Sequence, residues 1–145
     1  MSIEHDISLL ESVPLFRHAG RAPLEVIAIG AEVWDVRPGE MLFSPHQPVD
    51  AGYLVIQGRF APRGRQDHDP FGPGALLGEL ALFSEAARPT PLMALEPSSV
   101  MRISRNLFLK MLDAYPDVAF RLRDHIAAHL EQAMDDILKV KSRLG

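Results

Sequence analysis

The sequence predicts a mainly β fold with flanking helices: an antiparallel β-roll of the double-stranded, jelly-roll-like kind, followed by a long C-terminal helix. Three observations carry the prediction. Between Val33 and Ile103, short apolar runs alternate with turn signals at Arg37-Pro38-Gly39, Gln57-Gly58, Arg63-Gly64, Gly72-Pro73-Gly74 and Glu96-Pro97, the rhythm of an antiparallel all-β unit. Before that stretch the apolar spacing is helical. After it, apolar residues at Ile126, Leu130, Ala133, Ile137, Val140 and Leu144 are spaced 4, 3, 4, 3 and 4 apart, a heptad seam of the kind that pairs helices.

In chain order, Ile3 to Leu10 is a short helix and Val13-Pro14-Leu15-Phe16 an apolar clamp. Arg21 to Ile29 is a second helix, with Pro23 in its first turn, where a missing amide costs little. Residues 1–30 thus form the N-terminal helices, 31–104 the roll and 105–145 the C-terminal helices of a single domain. Expected strands are Glu32 to Val36, Met41 to Phe43, Gly52 to Ile56, Arg59 to Pro62, Leu92 to Glu96 and Ser99 to Ile103. Twelve prolines confine several of these strands to short lengths or sheet edges. Arg63 to Pro70 is polar and reads as a hairpin tip. Asn106 to Ala114 is a helix interrupted by Tyr115-Pro116, and Asp117 can cap the long helix that follows.

Composition narrows the function. With 145 residues and 47% hydrophobic content the chain suits one globular domain. No apolar run reaches membrane-span length, and Glu4 and Asp6 stand where a signal peptide carries positive charge, so a cytoplasmic protein is expected. Cysteine is absent, which excludes disulfides, thiol nucleophiles and cysteine-ligated iron-sulfur clusters. A net charge of -4 argues against a surface built for the phosphates of nucleic acid.

The stretch from Leu76 to Pro91 has the character of an anion-binding loop. Gly78 lets the backbone approach a ligand, and Glu79 to Phe83 can form one helical turn whose N-terminal amides face negative charge. Arg88 adds a planar, permanently charged fork suited to phosphate. The plain alternative for Glu79 and Arg88 is that they pair with each other or with solvent on a surface turn.

This run resembles the phosphate-binding cassette of the cyclic nucleotide-binding domains, in which Gly-Glu-(Leu/Ile)-Ala-Leu is followed by an arginine and two small residues. Gly78, Glu79, Leu80, Ala81, Leu82 and Arg88 fall on that pattern. Arg37-Pro38-Gly39-Glu40 with Leu42-Phe43, Tyr53 to Arg59, Phe71 to Gly74, and Ile103-Ser104-Arg105 with Phe108 and Tyr115-Pro116 are similar to further signatures of the family, in the same order. The resemblance covers about Leu9 to Leu138. It implies that Arg88 pairs with exocyclic phosphate oxygens, that Glu79 accepts from the ribose 2'-hydroxyl, and that amides of Glu79 to Ala81 complete the anion site. The implied ligand is a cyclic nucleotide, cAMP ahead of cGMP, with no other cofactor.

One position departs from the pattern. Pro89 stands where the family has a small residue that donates its amide to the phosphate, and proline has no amide hydrogen. Losing one charge-assisted donor weakens binding by about 1.5 to 3 kcal/mol, roughly one to two decades, unless the Thr90 hydroxyl substitutes. Where bacterial members contact the base from the long helix, this chain has Ala133 and Met134. Met134 can cover a base by dispersion or simply pack at a helix interface.

Other chemistry finds little support. His46-Gln47-Pro48 lacks the His-x-His pattern of a metal-binding cupin, and His125 with His129, four apart on one helix face, has no third ligand at an evident spacing. Those histidines read as surface or seam-flanking residues. Ser84, Ser98 and Ser99 have no histidine and acid at recognisable spacing, so no catalysis is expected. Two functions remain: a nucleotide sensor that signals through the long helix, or a dimeric interaction module with a degenerate cassette. A third is the sensor fragment of a longer transcription regulator; family members of that kind carry a helix-turn-helix after the long helix, and none occurs within these residues. A homodimer through Ile126, Leu130, Ala133, Ile137, Val140 and Leu144 is expected, without nucleic-acid or membrane partners.

Overall fold

In the computed structural model the described residues are 2–44, 47–64, 69–128 and 131. Two helices come first: α1 (Ile3–Glu11) and, after a 3-10 turn at Pro14–Phe16, α2 (Arg21–Gly30). Seven strands follow: β1 (Glu32–Val36), β2 (Met41–Leu42), β3 (Ala51–Gln57), β4 (Phe60–Pro62), β5 (Leu76–Leu77), β6 (Leu92–Ala94) and β7 (Ser98–Ser104). A 3-10 turn, Glu79–Leu82, separates β5 from β6. Helix α3 (Arg105–Ala114) begins directly after β7, with Ser104 as its cap accepting from the Leu107 amide at 3.1 Å. Beyond a break at Tyr115, residues 116–128 are helical again.

The strands form two antiparallel sheets, one in the order β1-β7-β3-β5 and the other β2-β6-β4. Alternation along the central strands explains the layering, because successive side chains point to opposite faces. Val55 of β3 and Val100 of β7 enter the interior of the roll, with Phe43, Phe60, Leu77 and Leu92. Leu54, Ile56, Met101 and Ile103, one position out of phase, face a second core built with the helices. That core takes Leu10 from α1, Phe16 from the 3-10 turn after it, Leu24 and Ile27 from α2, Phe108 and Met111 from α3, and Val118 and Leu122 from the last helix. A strand covered on both faces reads as a nearly continuous apolar run, which is why Tyr53-Leu54-Val55-Ile56 has no polar break.

The expected roll and flanking helices are present, and the differences are local. The strand expected over Met41 to Phe43 ends at Leu42, because Phe43 has φ +65° and leaves the extended region. Leu76 and Leu77, expected only as part of the cassette, form β5 by pairing with Leu54 and Tyr53. Ile126, first residue of the heptad seam, packs against the helix-side core of its own chain. Leu130, Ala133, Met134, Ile137, Val140 and Leu144 lie outside the described residues, as do His46, His68 and His129. Among the described residues no helix is long and apolar enough to cross a membrane.

Candidate functional site

The cassette is held in place by backbone geometry first. Gly78 adopts φ +72°, a left-handed conformation that reverses the chain between β5 and the 3-10 turn. The Ala81 amide donates to the Gly78 carbonyl at 3.0 Å and the Phe83 amide to the Leu80 carbonyl at 3.2 Å. Of the three amides assigned by resemblance to an anion, the one on Ala81 is therefore committed to closing the turn. Ala81 and Leu82 are buried, which anchors the turn on the protein side.

Arg105 then clamps the loop from outside. Its Nε donates to the Ala81 carbonyl at 2.8 Å, and its Nη2 donates to the carbonyls of Val49 at 2.9 Å and Ser84 at 3.0 Å. Carbonyls that a 3-10 turn leaves unsatisfied are thus bonded by a charged fork fixed at the first residue of α3. In the sequence Arg105 belongs to a family-like signature, and nothing local to it reveals the carbonyls it bonds.

Glu79 and Arg88 do not pair with each other among the described residues. Oε1 of Glu79 instead accepts from Nε2 of His125 at 3.1 Å. A carboxylate offers acceptors only, so the imidazole nitrogen is the donor. His125, expected on a surface or beside the seam, is partly buried and faces the cassette. Arg88 is exposed, and its Nη1 donates to the carbonyls of Ala87 at 2.9 Å and Glu85 at 3.2 Å. Among the described residues its Nε and Nη2 bond to no protein group. Nη1 is used to fix the loop, and the N–H groups of two nitrogens, Nε and Nη2, remain for solvent or an anion.

Two cavities open here. The first, about 230 Å³, is lined by Gly78, Glu79, Leu80, Ala81, Ala87, Arg88 and Pro89. The second, about 360 Å³, runs into the roll between Phe43, Phe71, Leu76, Leu77, Leu92 and Pro62, with Thr90 beside Pro89. They share Gly78 and Pro89, so a compartment bordered by Glu79 and Arg88 continues into one walled by Phe43, Phe71 and leucines. Two other grooves, of about 370 Å³ beside Asp35 and Arg37 and about 570 Å³ beside Lys110 and Asp113, have no comparable set of convergent groups.

The aromatic wall of the second cavity is continuous with the surface. Phe43 meets Tyr53 edge-on with ring centroids 5.4 Å apart, and Tyr53 meets Trp34 at 5.6 Å. Arg102 lies over the Trp34 ring at 5.4 Å and donates to Asp50 at 3.0 Å. Burial pushes the Tyr53 phenol above its ordinary value, with Arg102 pulling in the opposite direction.

Of the residues singled out from sequence, Gly78, Glu79, Leu80, Ala81, Arg88 and Pro89 thus line one cavity and Thr90 the next. A sequence model of the cyclic nucleotide-binding domain matches residues 33–115, which includes the whole of this site apart from His125. The chain belongs to the cyclic nucleotide-binding domain family.

Solved structures of this family superpose on it. A cyclic nucleotide-binding-like protein from Brucella abortus is 35% identical, with TM-score 0.65, over 74% of this chain and 97% of that one. The N-terminal domain of a transcriptional regulator from Streptomyces coelicolor is 25% identical, with TM-score 0.73, over 88% of this chain and 93% of that one. Among curated relatives, the lysophospholipase NTE1 of Pyricularia oryzae is 28% identical over 76% of this chain. An uncharacterized NTE family protein of Mycobacterium bovis is 29% identical over 86%. The chain spans only 8% and 22% of those two proteins. The cyclic nucleotide-binding domain is thus a unit that recurs inside much longer chains.

Proposed function

We propose that this domain is a non-catalytic sensor that binds a cyclic nucleotide, cAMP ahead of cGMP, and signals through its C-terminal helix. The observation that supports the reading is the junction of the two cavities at Gly78 and Pro89. Arg88 donors and a Glu79 acceptor border the first compartment, and aromatic and aliphatic walls border the second. A phosphate, a ribose hydroxyl and a flat base present those same three chemistries. In longer relatives a unit of this kind occupies a small share of the chain, which supports a regulatory role beside an effector. The domain would act in the cytoplasm as a homodimer joined along the heptad seam, without contacting nucleic acid.

A second reading is a degenerate cassette in a dimeric interaction module. Pro89 favours it, since the residue facing both cavities has no amide to donate. Calorimetric titration with cAMP and cGMP separates the two. Micromolar or tighter binding by the natural sequence, abolished in Arg88→Ala with the melting temperature unchanged, is the outcome expected of a sensor. Binding that emerges only in Pro89→Ala would mark a disabled cassette and favour the interaction module.

A further inference from the structure

Glu79 and His125 are 46 residues apart in sequence, and their contact at 3.1 Å is the place where the last described helix touches the cassette through a hydrogen bond. That helix is seated independently of the contact. Val118 and Leu122 are buried in the helix-side core, Ile126 packs against it, and Nη1 of Arg121 donates to the carbonyls of His18 at 2.9 Å and Ala19 at 3.3 Å. His125 is therefore delivered to Glu79 by a helix whose position is set by other groups. The side chains of Glu79 and His125 are 17% and 28% exposed, so the pair is partly dehydrated while Glu79 still lines the cavity that Arg88 borders.

A glutamate has three rotatable side-chain bonds, and ordering it on a ligand costs rotamer entropy. A donor that fixes one carboxylate oxygen removes much of that cost, and a carboxylate can accept from several donors at once. We propose that His125 is a positioning residue of the ligand site: it holds the Glu79 carboxylate for a ligand hydroxyl and so makes the C-terminal helix part of the site. This rests on the sensor reading above. Two consequences are linked. Removing His125 weakens binding of a ligand that uses Glu79, and by reciprocity such a ligand tightens the helix onto the cassette.

The test compares cAMP with 2'-deoxy-cAMP, which lacks the hydroxyl, on the natural sequence, His125→Ala and His125→Gln. The expected result is a 5- to 20-fold loss of cAMP affinity in His125→Ala, no change for 2'-deoxy-cAMP, and recovery of most of the loss in His125→Gln, whose amide also donates. Hydrogen exchange of residues 116–128 should slow on adding cAMP to the natural sequence and not in His125→Ala. Equal losses for both nucleotides, or no loss for either, would overturn the role of His125 while leaving the sensor reading intact. If the natural sequence binds neither nucleotide, the sensor reading fails and the inference with it, an outcome told apart by the absence of any binding before a variant is made.

Discussion

The ring of Phe43 stands directly against Gly78: a β-carbon at residue 78 would lie 2.6 Å from Cζ and 2.9 Å from Cε1 of that ring. Both residues have positive φ, +65° for Phe43 and +72° for Gly78. A side chain at 78 would thus meet backbone strain and overlap together. Gly78→Ala should destabilise the domain by about 2 to 5 kcal/mol, the sum of a left-handed penalty of about 1 to 2 and an overpacking cost of about 1 to 3. Urea unfolding measures it. Adding Phe43→Leu should recover part of the loss, because the two positions share one contact; strict additivity would show that overlap is not the cause.

Arg105 supplies three bonds to carbonyls, two in the cassette and one at Val49. Charged hydrogen bonds contribute about 1.5 to 3 kcal/mol each and add imperfectly within a network. Arg105→Ala should therefore cost about 3 kcal/mol in urea unfolding, and Arg105→Lys nearly as much, since an ammonium cannot span the same fork. A lysine variant as stable as the natural protein would show that charge alone suffices.

Tyr53 supplies a pH dependence. Its folded-state phenol is raised by burial above the ordinary value of 10.0, so the folded state holds the proton more tightly than the unfolded one. Its contribution is fully present below pH 10 and is lost as pH rises through the raised value. Melting temperature should fall as pH rises above 10 in the natural sequence and fall less in Tyr53→Phe, compared at equal salt. Parallel curves for the two would assign the alkaline loss to another group.

The dimer expected from the heptad seam is tested at Ile137. A lysine in the middle of such a seam buries an unpaired charge, which is strongly destabilising to the interface. Ile137→Lys should halve the mass found by light scattering while the melting temperature of the roll changes little. A variant that keeps the dimeric mass would place the interface elsewhere.

The parts legible in the sequence are those whose cause is local. The cassette is a contiguous motif, so Gly78, Glu79, Ala81, Arg88 and Pro89 can be matched to the family pattern the run resembles, and the structure gathers them round one cavity. Strand β3 declares itself by apolar length. What escaped depends on partners distant in the chain. Two leucines become β5 only because Tyr53 and Leu54 offer an edge. An aromatic residue gives no sign that it will adopt positive φ, so the early end of β2 at Phe43 was hidden. The role of Arg105 depends on carbonyls 21, 24 and 56 residues away, and that of His125 on a carboxylate 46 residues away. No periodicity encodes either distance.

Those long separations also order events in time. Every residue that lines the first cavity has been synthesised by Pro89, yet the fork that closes the loop belongs to residue 105 and reaches back to Val49. Closing so large a span has to follow the pairing of β3 with β7, which sets α3 in place, and non-local closures of this kind form slowly. The cassette is consequently a late product of folding. A nascent chain halted between residues 89 and 105 would display the whole binding motif and be unable to retain a ligand, so ligand capture would report completion of the roll rather than the appearance of its motif.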